Sequence, residues 1–139
     1  MLLLDNSAWS RIVQGALDGT RAAQIASWIE QRELATCLPF LLEAGYSARS
    51  AFDHQATMAD LDVLPCIRLP PAVEDRARVA QSELASVGHH RLKPIDIMIA
   101  ACAHEADAGV LHYDRDYDIL VEHTSLEFQS EWVALPGTL

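Results

Sequence analysis

Basic charge is the scarcest commodity in this chain: Lys and Arg total 10 against 20 Asp and Glu, Lys93 is the only lysine, and the formal net charge is −10. A surface this acidic excludes general electrostatic attraction to nucleic acid, so any such substrate must be gripped locally, and a basic protein partner is favoured. Cysteine is also sparse. Cys37, Cys66 and Cys102 are far apart and form no C-x-x-C pair, which argues against a zinc site or a redox motif and for buried free thiols. The histidines lack ligand spacing, so a bound metal would have oxygen ligands, favouring magnesium or manganese over zinc. No apolar run approaches the length that spans a bilayer, and no basic-then-apolar segment opens the chain; the expectation is no membrane and a cytoplasmic location. Repeats, low-complexity tracts and linker-like stretches are missing too. Residues 1–139, half of them hydrophobic, read as one domain with one core.

Strand-like and helix-like segments alternate along this chain. Leu2 to Asp5 reads as a first strand, and Asn6 and Ser7 can cap a helix over Trp9 to Val13. A second helix is expected over about Thr20 to Gln31, and a strand over Glu33 to Cys37. Pro39 suits the first turn of a third helix reaching Ser50, with a fourth over His54 to Asp62. Cys66 to Leu69 reads as a third strand, and Pro70-Pro71 open a helix that stops near Gly88. The most hydrophobic helix follows Pro94, from Ile95 to Ala106, with Gly109 ending it. Val110 to Tyr113 is then a strand, Tyr117 to Glu122 a short acidic helix, and Leu126 to Val133 a last edge strand. The alternation predicts an α/β sandwich with a mainly parallel central sheet flanked by helices.

Against this pattern five carboxylates stand out. Asp5 ends the run Met1-Leu2-Leu3-Leu4, Glu43 interrupts a hydrophobic helix, and Asp96 lies inside Ile95-Asp96-Ile97-Met98-Ile99. Asp114 and Asp116 follow Val110-Leu111-His112-Tyr113. Acids in apolar company are costly unless something positive binds them. Each alone is also explained as a helix cap or dipole partner, worth about 0.3–1 kcal/mol. Together they differ: parallel sheets place ligands beyond the strands' carboxyl ends, and right-handed crossovers return the helix starts to that same edge. Like charges about 4 Å apart repel by roughly 4 kcal/mol at a surface dielectric, more than a dipole offsets. A converged cluster therefore calls for a divalent cation.

These residues resemble the PIN-domain nucleases, and within them the VapC-type toxins of bacterial toxin–antitoxin pairs. The resemblance covers almost the whole chain. It rests on Leu3-Leu4-Asp5-Asn6-Ser7-Ala8-Trp9, on Leu42-Glu43-Ala44, on Pro94-Ile95-Asp96-Ile97-Met98-Ile99-Ala100-Ala101-Cys102-Ala103, and on Asp114-Arg115-Asp116-Tyr117. One departure is His112, where the family often carries Thr or Ser, a hydroxyl that supports the metal shell. Another is Asn6, where many relatives have Thr.

The resemblance implies a PIN-like three-layer sandwich and a magnesium- or manganese-dependent endoribonuclease. Asp5, Glu43, Asp96 and Asp114 would be the catalytic acids and, with Asp116 at the edge, the metal ligands. Ser7 would orient Asp5 from behind or cap the first helix. Arg11, Arg91, Lys93 and Arg115, close in sequence to the acids, are candidates to contact the RNA backbone. A VapB-type antitoxin would restrain the enzyme by lying in an apolar groove drawn from Trp9, Ile12, Trp28 and Ile29. The chain would form a homodimer through the helices around Phe40 to Ser50 and Ala72 to Val87, whose Ala44, Gly45, Ala48, Val79 and Ala80 permit close approach. Two other readings stay open: a PIN-like interaction module without catalysis, and a metal-dependent phosphatase, although Asp5-Asn6-Ser7 lacks a paired-aspartate opening.

Overall fold

A computed structural model describes residues 1–139, and its elements follow the expected alternation. They are β1 (Leu2–Leu4), α1 (Asn6–Val13), α2 (Gly19–Glu30), β2 (Leu34–Cys37), α3 (Leu38–Tyr46), α4 (Ala51–Leu61) and β3 (Cys66–Ile67). Then come α5 (Pro71–Ser86), α6 (Pro94–Glu105), β4 (Gly109–His112), α7 (Asp116–His123) and β5 (Ser130–Trp132). The strands form one sheet in the order β3-β2-β1-β4-β5. Every pairing is parallel, from Leu2 beside Leu34 on one flank to Leu4 beside Leu111 on the other. Chain order reverses between β1 and β4, so crossovers leading toward β3 and toward β5 take opposite faces. That gives the three layers of a PIN-like sandwich.

The central strands are buried on both sides, which explains their unbroken apolar sequence. Leu3, Leu4, Leu34, Val110 and Leu111 are fully covered, as are Phe40, Leu84, Ile99 and Leu120 from the helices. Gly109 has a different job from the one expected of it. The left-handed residue after α6 is Asp107, with φ 52°; Gly109 is the first residue of β4. A Cβ there would sit 2.7 Å from Leu2 Cδ2 and 2.8 Å from the Gln129 carbonyl oxygen, so β1 and β5 can close on β4 only across a glycine.

Other boundaries shift for local reasons. The third helix stops at Tyr46 rather than Ser50, because Ser50 caps a new helix: its Oγ accepts from Asp53 N at 3.0 Å, while Asp53 Oδ2 accepts from Arg49 N. The outer strands are shorter than predicted, β3 ending before Pro70-Pro71 and β5 only three residues long. Because β3 is a two-residue edge, Cys66 is exposed; Cys37 and Cys102 are the buried thiols. Edge strand β5 is fastened by Arg21 of α2, whose guanidinium donates to Glu131 at 2.7 Å and to the carbonyls of Trp132 and Val133. Three of the residues expected at a dimer surface serve this chain instead. Ala44 and Ala80 lie in the core, and Gly45 packs against His54 of α4, where a Cβ would meet the imidazole at 3.0 Å.

Candidate metal centre

Four polar or charged residues are buried in the whole molecule, and three of them, Asp5, Asp96 and His112, belong to one cleft at the carboxyl ends of β1 and β4. This is the switch point of the strand order, where parallel sheets leave a crevice. Asp5 follows β1, Asp114 follows β4, Glu43 lies on the helix after β2, and Asp96 sits in the first turn of α6. Their oxygens gather in two groups sharing Asp96. In Asp5, Glu43 and Asp96, and again in Asp96, Asp114 and Asp116, ligand atoms lie within 4.8 Å of one another. All five acids singled out in the sequence are thus brought together.

Asp5 is held most firmly. It is the N-cap of α1, its Oδ2 accepting the Ser7 backbone N–H at 2.9 Å. Asn6 and Ser7, expected as caps, are instead the first helical residues, because Asp5 already occupies the capping position. Freed from capping, the Ser7 hydroxyl donates to Asp5 Oδ2 and accepts from Tyr113 N at 2.8 Å, tying β1 to the end of β4. The other oxygen, Oδ1, accepts from the Tyr117 hydroxyl at 2.8 Å, and Tyr117 Oη lies 3.4 Å from Asp96 Oδ1. Burial holds the Tyr117 phenol well above its usual range, with the Asp5 and Asp96 charges adding to the shift, so it remains a donor.

The same desolvation acts on the acids. Asp96 is pushed up to about 7 by burial, then by the charge of Asp5, against the opposing pull of Lys93. Glu43 is raised by burial and then by Asp5, and Asp116 by burial and then by Asp114. Two oxygens, Glu43 Oε2 and Asp96 Oδ2, are buried without a hydrogen-bond partner. Such atoms are costly unless a cation meets them. An all-oxygen set of clustered carboxylates suits a hard divalent ion, so Asp5, Glu43 and Asp96, with Asp114 and Asp116 beside them, fit magnesium or manganese.

His112 does not take a hydroxyl's place in the ligand shell. Fully buried, it accepts the Asp114 N–H at Nδ1 (3.1 Å), which puts its proton on Nε2, 2.7 Å from Ser130 Oγ. Ser130 in turn donates to Asp118, which also accepts from Trp132 Nε1. Burial lowers the imidazole's pKa, outweighing the Asp118 charge, and the neutral ring fixes the backbone that presents Asp114.

The candidate RNA-contacting cations separate. Lys93 is turned into the cleft, its Nζ 2.9 Å from Asp114 Oδ2 and 3.6 Å from Asp96 Oδ2. Arg11 donates to the Ser7 carbonyl and lies over the Tyr113 ring, 4.4 Å from its centroid, at the cleft's margin. Arg91 and Arg115 are exposed nearby in sequence. Tyr117 was missed by sequence reasoning; its only signal is its place three residues after Asp114, at the start of a helix that returns over α6.

A sequence profile described as the PIN domain matches residues 2–121, and the chain belongs to that family, within its VapC branch. It is 39% identical over 120 residues to Ribonuclease VapC17 of Mycobacterium tuberculosis, covering 83% of each chain. It is 34% identical over 139 residues to Ribonuclease VapC18 of the same organism, covering 98% of this chain and 97% of the relative. The fold is also that of VapBC2 from Rickettsia felis, solved bound to a promoter DNA fragment (TM-score 0.75, 14% identity, 94% and 98% of the two chains). VapBC-5 from Mycobacterium tuberculosis shares it at a TM-score of 0.62, with 20% identity, covering 93% of this chain and 97% of that one.

Proposed function

We propose that this protein is a magnesium- or manganese-dependent endoribonuclease that cuts single-stranded or loop regions of RNA and is held in check by a VapB-type antitoxin. The observation that carries the reading is the pair of buried oxygens of Glu43 and Asp96 that accept no hydrogen bond, in the carboxylate cluster these two form with Asp5. Relatives of full length that are ribonucleases by name support it. Asp5, Glu43 and Asp96 would hold the ion directly and Asp114 through water, with Asp116 at the rim. A divalent ion bound there supplies Lewis acidity toward a phosphate and makes a water nucleophilic near neutral pH. The protein's part is orientation. Ser7 and Tyr117 fix both oxygens of Asp5, and His112 fixes the Asp114 turn, so the acids need little rearrangement to act. Arg11, Arg91 and Arg115 would meet the substrate's phosphates around the acidic cleft.

Two surfaces suit the partners. Trp9, Ile12, Trp28 and Ile29 are half-buried on α1 and α2, leaving apolar surface for an antitoxin segment. Leu38, Leu42 and Tyr46 stand exposed one turn apart along α3, with Val79 exposed on α5, and these would pair two chains as a homodimer. Light scattering should then give twice the 15.3 kDa chain mass. No helix is long and apolar enough to cross a membrane, and a cytoplasmic site of action is part of the proposal.

The phosphatase and interaction-module readings gain no particular observation. Cleavage of a hairpin RNA with magnesium, with chelator, and by Asp5→Asn tests the proposal. Cuts within the loop that vanish with chelator and in the variant are expected. Full cleavage by Asp5→Asn, or RNA bound but uncut at saturating metal, would overturn it.

A further inference from the structure

We propose that Lys93 fills the place of a second cation in the cleft, so that the protein takes one divalent ion, among Asp5, Glu43 and Asp96, and excludes a second between Asp96 and Asp114. This rests on reading the acids as a divalent-metal site and goes further, to its stoichiometry and to a residue that substrate would meet.

The two carboxylate groups differ in what the chain already provides. Of all the ion pairs in the molecule, those of Lys93 alone reach the five acids, and they reach Asp114 at 2.9 Å and Asp96 at 3.6 Å. Asp5 and Glu43 have no basic partner. The Lys93 ammonium stands between Asp96 and Asp114, in the space that a second divalent ion would need. A pair of metals working on one phosphate would stand about 3.5–4 Å apart. At that distance the Lys93 charge opposes a second divalent ion, whereas for the first the three carboxylates of the deeper group outweigh it.

Local sequence puts the amine there. Lys93 is the N-cap residue of α6, and Pro94 follows at the first helical position, where its fixed φ sets the start of the helix. Asp96, three residues on, then lies on the same side of the helix. A compact ammonium enters the gap between two carboxylates, which the broad guanidinium of the chain's nine other cations does not. The side chain is 58% exposed, so the contact adds little to stability; its consequence is for how many ions fit. One ammonium proton is donated to Asp114, and with Asp96 Oδ2 beyond hydrogen-bond reach at 3.6 Å a donor is left for a phosphate oxygen of the substrate.

Calorimetric titration of metal-free protein with manganese chloride tests this without reference to cleavage. The expected result is one ion per chain in the wild type and two in Lys93→Ala, the second disappearing in Lys93→Ala/Asp114→Asn. Lys93→Met, which keeps the apolar stem, gives the same count if Lys93→Ala folds poorly. Two ions in the wild type, or one in both wild type and Lys93 variants, would overturn the role of Lys93 while leaving the metal site standing. No manganese bound by the wild type would remove the metal site itself, and this inference with it.

Discussion

The deep and outer halves of the cleft are built on opposite principles. In the deep half, Asp5 is gripped at both oxygens by Ser7 and Tyr117, yet Glu43 and Asp96 each keep a buried oxygen that accepts no hydrogen bond, Lys93 standing 3.6 Å from that of Asp96. In the outer half, Asp114 and Asp116 are partly exposed and satisfied from within the chain. Asp114 N donates to His112, Asp116 N donates to Asp114 Oδ1 at 3.0 Å, and Lys93 pairs with Asp114. Positional order without charge balance marks the place where a cation must come from outside. An acid already paired within the chain marks the rim over which a substrate would pass.

The largest effect expected from breaking this contrast is on cleavage. Asp5→Asn and Asp96→Asn should each lower the rate by on the order of 100-fold or more, since a carboxylate that would hold the metal ion is lost from the cluster. Asp116→Asn, changing a partly exposed rim acid, should cost measurably less under the same single-turnover assay. Next comes the support of the deep half. Tyr117→Phe removes one donor to Asp5 and should weaken manganese binding by about 10–100-fold with the fold retained, as checked by calorimetry and circular dichroism.

The outer half should respond in stability. His112→Leu leaves the Asp114 N–H without its acceptor inside a covered turn, so urea unfolding should show a loss of about 1–3 kcal/mol. A more gradual change is expected from pH. Asp96, raised from an ordinary 3.8 to about 7 when folded, binds a proton in the native state that the unfolded chain has released. Metal-free protein should therefore lose stability relative to Asp96→Asn as pH rises from about 4 to 7, whereas manganese affinity should climb over the same window. A difference between the two proteins that stays flat from pH 4 to 8 would mean that Asp96 is not desolvated.

The acids were legible because each breaks a hydrophobic pattern: Asp5 ends a run of leucines, and Asp96 sits in the first turn of the most apolar helix. Convergence followed from the rules of parallel sheets. Tyr117 was not legible, because a tyrosine in an acidic segment reads as surface until α7 docks over α6, a long-range event with no local signal. The functional orientation of Lys93 was hidden likewise, since its amine is drawn inward by Asp114, 21 residues away in sequence. His112 reads as a replacement for a hydroxyl, yet its partners, Ser130 and the Asp114 backbone, are set by the pairing of β4 with β5. The break after Tyr46 did carry a signal, the Ser50-Ala51-Phe52-Asp53 capping pattern, outweighed by the continuous apolar run preceding it.

The central claim is that the deep carboxylates form one site completed by a divalent ion. The direct measurement is the melting temperature of wild type and Asp96→Asn with and without manganese at neutral pH. Binding to the native state alone must stabilise it, while removing one of several crowded charges relieves repulsion in the empty site. Manganese should raise the wild-type midpoint, and Asp96→Asn should melt higher than wild type without metal and gain little when metal is added. An identical manganese response in the two proteins would contradict the shared site.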